Sequence, residues 1–163
     1  MTRTKRIIAV TLAATFGAAS NASAQPAEQS IGSRLPPSVR GLLIEEMNAV
    51  LQATHTIVEA IVRGQHKVVE EQAMLIHDSF ILEQRMTPED RAALREAATP
   101  LFIERDEAFH ALSERLAEAA RRRDHPEQRA VFAQMLDACA ACHAAHAADR
   151  FPDLQGGASE ALQ

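Results

Sequence analysis

The sequence predicts an all-α fold, an antiparallel four-helix bundle, from its composition, the spacing of its apolar residues and its helix start signals. Hydrophobic residues make up 47% of the 163 positions, but aromatic residues only 4%, and there is no Trp and no Tyr. This composition suits helices packed through alanine and leucine better than a β-sandwich or barrel. Four amphipathic stretches joined by short links favour the antiparallel arrangement. The formal net charge of −5 argues against a nucleic-acid-binding face.

The first 24 residues are typical of a secretory signal peptide. Basic residues at the start precede an apolar stretch over 7–19, and small residues occupy 22–24, where such a leader is cleaved. The alternative is an uncleaved anchor, but the apolar stretch is short for spanning a bilayer. We therefore predict a periplasmic protein that begins at Gln25 and has no membrane span in its mature chain.

The first two helices are predicted after a flexible lead-in over 25–35. Pro36 and Pro37 open the first helix, and Gly64 suits its end. The second helix is expected over about 65–84. The apolar residues of the first helix recur at spacings of three and four, as on one buried stripe: Val39, Leu42, Leu43, Met47, Val50, Leu51, Ile57, Val58, Ile61 and Val62. The neighbouring acidic pair at 45–46 is expected on a solvated face.

The second half of the chain carries clear helix boundaries. Thr87 can cap a helix that Pro88 opens, and Pro100 is expected to interrupt or kink it. The third long helix then reaches about Arg123, and the last covers about 126–149. This helical domain spans 36–152, and 153–163 is expected to be a mobile tail. The large apolar side chains expected to be buried and to crowd one pocket are Phe80, Phe102, Phe109, Phe132 and Leu136.

The only two cysteines of the chain lie in the segment Cys139-Ala140-Ala141-Cys142-His143. C-x-x-C-H is the attachment signal of a c-type haem. Thiols three residues apart on a helix project from one side, so they can add to the two vinyl groups along one haem edge. His143 shares their face, and its imidazole can ligate the iron. The sequence thus predicts one covalent haem c held by Cys139 and Cys142, with His143 as the proximal ligand.

Three other interpretations of the motif were weighed. A redox disulfide expects a strand–helix context, whereas the surrounding residues are rich in alanine and helical in pattern. A structural zinc site needs four ligands. His143 and His146 could complete such a set, but the adjacent Cys142 and His143 diverge too much for easy tetrahedral closure. The last interpretation is a chance match without haem, and the export signal argues against it. His146 itself is expected to be an exposed residue of the last turn.

An exported chain with four helices and a C-terminal C-x-x-C-H resembles the class II c-type cytochromes, the cytochrome c-prime family, over about residues 36–149. The resemblance implies a haem enclosed by the bundle, with His143 on its proximal side and the first helix lining its distal side. It also implies redox proteins as partners. Many members form antiparallel dimers through the first two helices, so a homodimer is one expectation.

The sequence departs from this family four residues after the proximal histidine. Typical members have an arginine there, which is associated with gas binding, but this chain has Ala147. We therefore expect an electron carrier and not an enzyme, with Met47 on the first helix as the distal iron ligand. The alternative is that Ile44 faces the iron, with Arg40 in a register like that of five-coordinate members. The iron would then be open to NO or CO.

Overall fold

The computed structural model describes residues 30–155, and this part of the chain is helical throughout, with no β-strand. The prediction of an all-α fold is confirmed. The predicted leader, its cleavage site at Gln25 and the end of the tail lie outside the described residues. The described part has seven α-helices and a closing 3₁₀ helix at Pro152–Gln155. In chain order the α-helices are α1 (Ile31–Arg34), α2 (Pro37–Arg63), α3 (His66–His77), α4 (Leu82–Arg85), α5 (Pro88–Ala97), α6 (Pro100–Arg121) and α7 (His125–His146).

Local signals explain where the long helices begin. Thr87 and Asp90 form a capping box at the start of α5, in which each side chain accepts a backbone N–H of the other residue. The hydroxyl oxygen of Thr99 accepts from the backbone N–H of Phe102 at 3.1 Å. Pro100, expected to interrupt or kink a helix, therefore occupies the first turn of a new one, where its missing N–H costs nothing. Asp124 caps α7 in the same way by accepting from Glu127.

The second predicted helix ends earlier than expected. The sequence pattern predicts a helix over about 65–84, but α3 ends at His77, and Ser79 adopts a φ of 60°. Beyond it, the carboxylate of Glu46 on α2 accepts the backbone N–H groups of Phe80, Ile81 and Leu82, at 3.0, 2.5 and 3.0 Å. The prediction of a solvated Glu46 is thus wrong: the residue is 4% exposed. Its carboxylate satisfies amides that a break in a helix leaves without partners.

The main core is built by α2, α3, α6 and α7. In it α3 packs against both α2 and α6, α6 also packs against α7, and α2 meets α7 at few points. Its buried residues are Ala53, Ile57, Ala60, Val69, Ala73, Ile76, Leu116, Ala117, Ala120, Val131, Phe132 and Met135. Alanine on several of these helices lets their axes approach closely, as the low aromatic content led us to expect.

A second core cluster orders the segment before α2. Ile31 and Leu35 are buried together with Val39 and Ala97, and Phe102 packs against them. Within residues 30–35, which we expected to belong to a flexible lead-in, the chain instead forms α1 and covers the start of α6. The helix is held because its two apolar side chains are removed from water.

The predicted burial of the large apolar side chains holds only in part. Phe132 is 8% exposed, and Phe80, Phe102 and Phe109 are partly buried. The prediction for Leu136 is wrong: it is 47% exposed. It follows the buried Met135 by one residue, so it lies about 100° round α7 from the core stripe. No helix between residues 30 and 155 is both long enough and apolar enough to cross a membrane.

The neighbouring Glu45 and Glu46 provide a matched test of the helix break. Glu46→Ala should lower the free energy of unfolding by about 2–4 kcal/mol, because three partly buried amides lose a charged acceptor. Glu45→Ala should change it by less than about 1 kcal/mol, since Glu45 pairs with Arg85 at an exposed site. Chemical denaturation of both variants measures the difference. Equal losses would contradict the role given to the Glu46 carboxylate.

Candidate functional site

Cys139 and Cys142 lie on the last two turns of α7 and continue its buried stripe. That stripe runs through Gln128, Val131, Phe132 and Met135 at spacings of three and four. Both cysteines are partly buried, and neither forms a disulfide. Because they are three residues apart on one helix, their thiols project from the same side, as the motif predicts.

The imidazole of His143 stacks on the ring of Phe151. The two ring centroids are 4.4 Å apart and the planes differ by 4°. The chain turns back after α7 to make this contact, with the backbone N–H of Phe151 donating to the carbonyl of Ala147 at 3.1 Å. Burial lowers the pKa of His143, which favours the neutral imidazole that ligates metals.

Phe151 was missed at the sequence level. The available signal was an aromatic residue followed by Pro152 just beyond the last turn of a helix, a place where chains commonly fold back over a helix end. Ala147, which replaces the arginine of the resembling family, lies in this turn. The structure therefore places an aromatic ring beside the predicted proximal ligand.

His146 occupies a different environment from the one expected. It is 2% exposed, and the edge of its ring meets the ring of Phe102 at a centroid distance of 5.4 Å. The prediction of an exposed residue is wrong because His146 follows Cys142 by four residues and so lies on the same buried stripe. This contact joins the end of α7 to the start of α6.

Cys142 lies near charged groups of α6. Nη1 of Arg105 donates to the carbonyl oxygen of Ala141, between the two cysteines, at 2.7 Å. Burial raises the pKa of both thiols, and at Cys142 the positive charge of Arg105 opposes that rise. Burial raises the pKa of the nearby Asp106 carboxyl group, and the charge of His110 opposes that rise. Nε2 of His110 lies 3.8 Å from the Asp106 carboxylate. Both thiols are therefore protonated near neutral pH.

Two pairs of histidines serve the packing of the helices. Nδ1 of His77 donates to the carbonyl of His110 at 3.2 Å, and Nδ1 of His110 donates to the carbonyl of His77 at 2.9 Å, which ties α3 to α6. His66 and His125 meet at a centroid distance of 4.4 Å where α7 begins. A cavity of about 520 Å³ lies beside His66, at the end of α7 opposite to the thiols. It is remote from the chemistry that the motif predicts.

Met47, the predicted distal ligand, lies on α2, whose end approaches the start of α7: a Cβ atom at Gly64 would be 3.5 Å from Cε1 of His125. The prediction that Met47 belongs to the buried stripe of α2 is wrong. The Met47 side chain is 41% exposed. Ile44, the alternative, is partly buried one turn away.

Residues 30–155 contain no group of three or more His, Cys, Asp or Glu side chains placed to hold a metal ion. The four-ligand zinc site considered above would require such a group. Cys139, Cys142 and His143 lie together near the end of one continuous helix, α7.

The effect of Arg105 on Cys142 can be measured by thiol alkylation. Arg105→Ala should move the pH profile of iodoacetamide modification at Cys142 to higher pH, because the thiolate loses a nearby positive charge while burial remains. Peptide mass spectrometry across a pH series distinguishes modification of Cys142 from that of Cys139. Arg105 is not among the groups that shift the pKa of Cys139. Arg115→Ala, on the same helix and paired with Glu127, is the control. A profile that stays the same in Arg105→Ala would contradict the electrostatic role.

Comparisons with known proteins return no relative. No family model matches the chain. No curated protein and no solved structure matches it either.

Proposed function

We propose that this chain is an exported monohaem c-type cytochrome that carries electrons. One observation supports the proposal above all others: two unlinked, partly buried thiols lie on one face of α7 directly beside a histidine whose ring is held in a stack. The C-x-x-C-H spacing, which attaches haem, thus occurs on a helix that presents the thiols together. The proposal includes periplasmic localisation, since the leader of residues 1–24 directs export.

The surroundings of the thiols suit a flat, largely apolar group. Leu136, which precedes Cys139 by three residues, leaves 47% of its surface exposed on α7. On α2, Met47 and Leu51 are 41% and 49% exposed. Exposed apolar side chains on two helices that meet at few points favour a ligand that would cover them. In this proposal α2, α3, α6 and α7 form an antiparallel four-helix bundle that encloses the haem.

Each residue of the site has a separate task. Cys139 and Cys142 would hold a haem c through thioether bonds, each thiol adding its S–H across one vinyl group. His143 would ligate the iron, and Phe151 holds its imidazole plane and covers one ring face. Met47 would supply the second protein ligand to the iron. When bound, the haem would supply one-electron redox chemistry, and ligation by His and Met would raise its potential, which suits a carrier.

A second candidate is a five-coordinate haem protein that binds NO or CO. Two observations favour it: the Met47 side chain is substantially exposed, whereas Ile44 on the same helix is partly buried. An isoleucine beside the iron offers no ligand, so the distal position would stay open. The absence of an arginine at Ala147 and the presence of Phe151 beside His143 weigh toward the carrier.

The expected partners are redox proteins and a second copy of the chain. Apart from the residues assigned to the haem, α2 exposes Val58 and Val62, and α3 exposes Leu75. Val58 and Val62 are one turn apart on α2, away from its core-facing side. These exposed residues support a homodimer through α2 and α3, as in the family that the sequence resembles.

Covalent haem attachment is tested by the mass of the denatured protein. We expect the protein, purified from the periplasm of cells that mature c-type cytochromes, to retain the mass of one haem under denaturing conditions. Cys139→Ser/Cys142→Ser should retain none. A wild-type chain without haem, or a double variant that keeps haem after denaturation, would refute the attachment.

The distal ligand separates the two candidates. A low-spin ferric spectrum with the methionine-to-iron charge-transfer band is expected, and Met47→Ala should abolish that band and open the site to CO. Met135→Leu is the control, because Met135 is 2% exposed in the core and the exchange nearly conserves its volume. A high-spin ferric spectrum in the unchanged protein would instead establish the five-coordinate candidate.

A further inference from the structure

The short helix α1 lies at the end of α7 that carries the candidate haem ligands. The hydroxyl oxygen of Ser30, just before α1, accepts the backbone N–H of Asp149 at 3.3 Å. Ile31 and Leu35 pack in the same cluster as Phe102, whose ring meets His146. His146 is less than one turn from His143. The segment around α1 therefore borders the C-terminal end of the site.

Arg34, the last residue of α1, carries a guanidinium group with an unsatisfied buried edge. Its Nε and Nη2 atoms are shielded from solvent and have no hydrogen-bond partner. A charged donor removed from water without an acceptor is strongly destabilising. Such a group is expected to have an anionic partner, and the shape of the guanidinium fits a carboxylate.

Other arginines in the described part of the chain do not share this situation. Arg40, nearest in sequence, donates through Nη2 to the carbonyl of Leu35 at 3.1 Å. Arg105 donates to Ala141, and Arg121 pairs with Glu70. The arginines at 95, 123, 129 and 150 are exposed, so water can solvate them. Arg34 is thus distinguished by burial of its donors and not by charge alone.

We propose that Arg34 is the binding residue for a carboxylate, and that this carboxylate is a haem propionate. The inference rests on the proposed function, because the haem supplies the anion. Haem carries two propionate groups, and a haem attached at Cys139 and Cys142 stands beside the end of α7 that α1 borders. The pair gives the buried donors an acceptor, and the positive charge of Arg34 lowers the pKa of the propionate.

The competing source of a carboxylate is the chain itself. Glu28 and Glu160 lie outside the described residues, and either could supply the same chemistry. The two sources differ in one respect: a propionate is present only in the haem-loaded protein. The experiment therefore compares Arg34→Met in the haem-loaded and haem-free full-length chains. Methionine fills a similar volume without a charge.

With a propionate as partner, Arg34→Met should lower the melting temperature of the haem-loaded protein and raise that of the haem-free chain. The first change loses an ion pair, and the second removes a buried charge that has no partner. Arg63→Met is the control and should act with the same sign in both forms, because Arg63 pairs with Glu59 at the other end of α2 with or without haem. An Arg34→Met effect of the same sign in both forms would overturn the inference. In that case the Arg34→Met effect should disappear in a chain that also carries Glu28→Gln or Glu160→Gln, and the variant that abolishes it would identify the partner.

A second measurement does not depend on how well the haem-free chain folds. The pH at which the haem spectrum and reduction potential respond to propionate ionisation should rise by about 1–3 units in Arg34→Met, since a nearby positive charge lowers a carboxyl pKa by that amount. If Arg34→Met carries its covalent haem and its titration is unchanged, the role of Arg34 is overturned, but the proposed function is not. A wild-type chain that captures no haem would overturn the proposed function and this inference together.

Discussion

The position of α6 between α3 and α7 is the constraint on which the rest of the structure depends. Its buried face consists largely of small residues, among them Ser113, Ala117 and Ala120, which are 0–2% exposed. Small side chains allow close helix approach, so α6 packs tightly along both neighbours. α2 packs chiefly on α3 and meets α7 at few points. The sparse contact between α2 and α7 is thus a consequence of a packing order that runs from α2 through α3 and α6 to α7.

The candidate chemistry lies on a helix that also leaves apolar surface uncovered. Cys139 and Cys142 continue the buried stripe of α7, while Leu136 on α7 and Met47 on α2 expose apolar side chains. The haem proposed above would add bulk that a core of alanine and aliphatic side chains lacks.

The two ends of the described chain converge on the same end of α7. Phe151 folds back onto His143, and Ser30 receives the backbone N–H of Asp149. The buried, unsatisfied donors of Arg34 lie in this region as well. An isolated four-helix core would need none of these contacts. Together they cover the end of α7 that carries His143 and His146.

Local chemistry let the sequence predict most of the elements and the candidate ligands. Proline and threonine define the starts of α2, α5 and α6, because capping and a preset φ act within one turn. The C-x-x-C-H spacing needs only a helix to bring its members together. The tertiary structure decided what depends on distant partners. The carboxylate of Glu46, on α2, accepts backbone N–H groups just beyond the end of α3. The side of α7 that faces the core determines that His146 is buried and Leu136 exposed. The stacking of Phe151 on His143 likewise follows from the return path of the chain, which no periodicity along a single helix encodes.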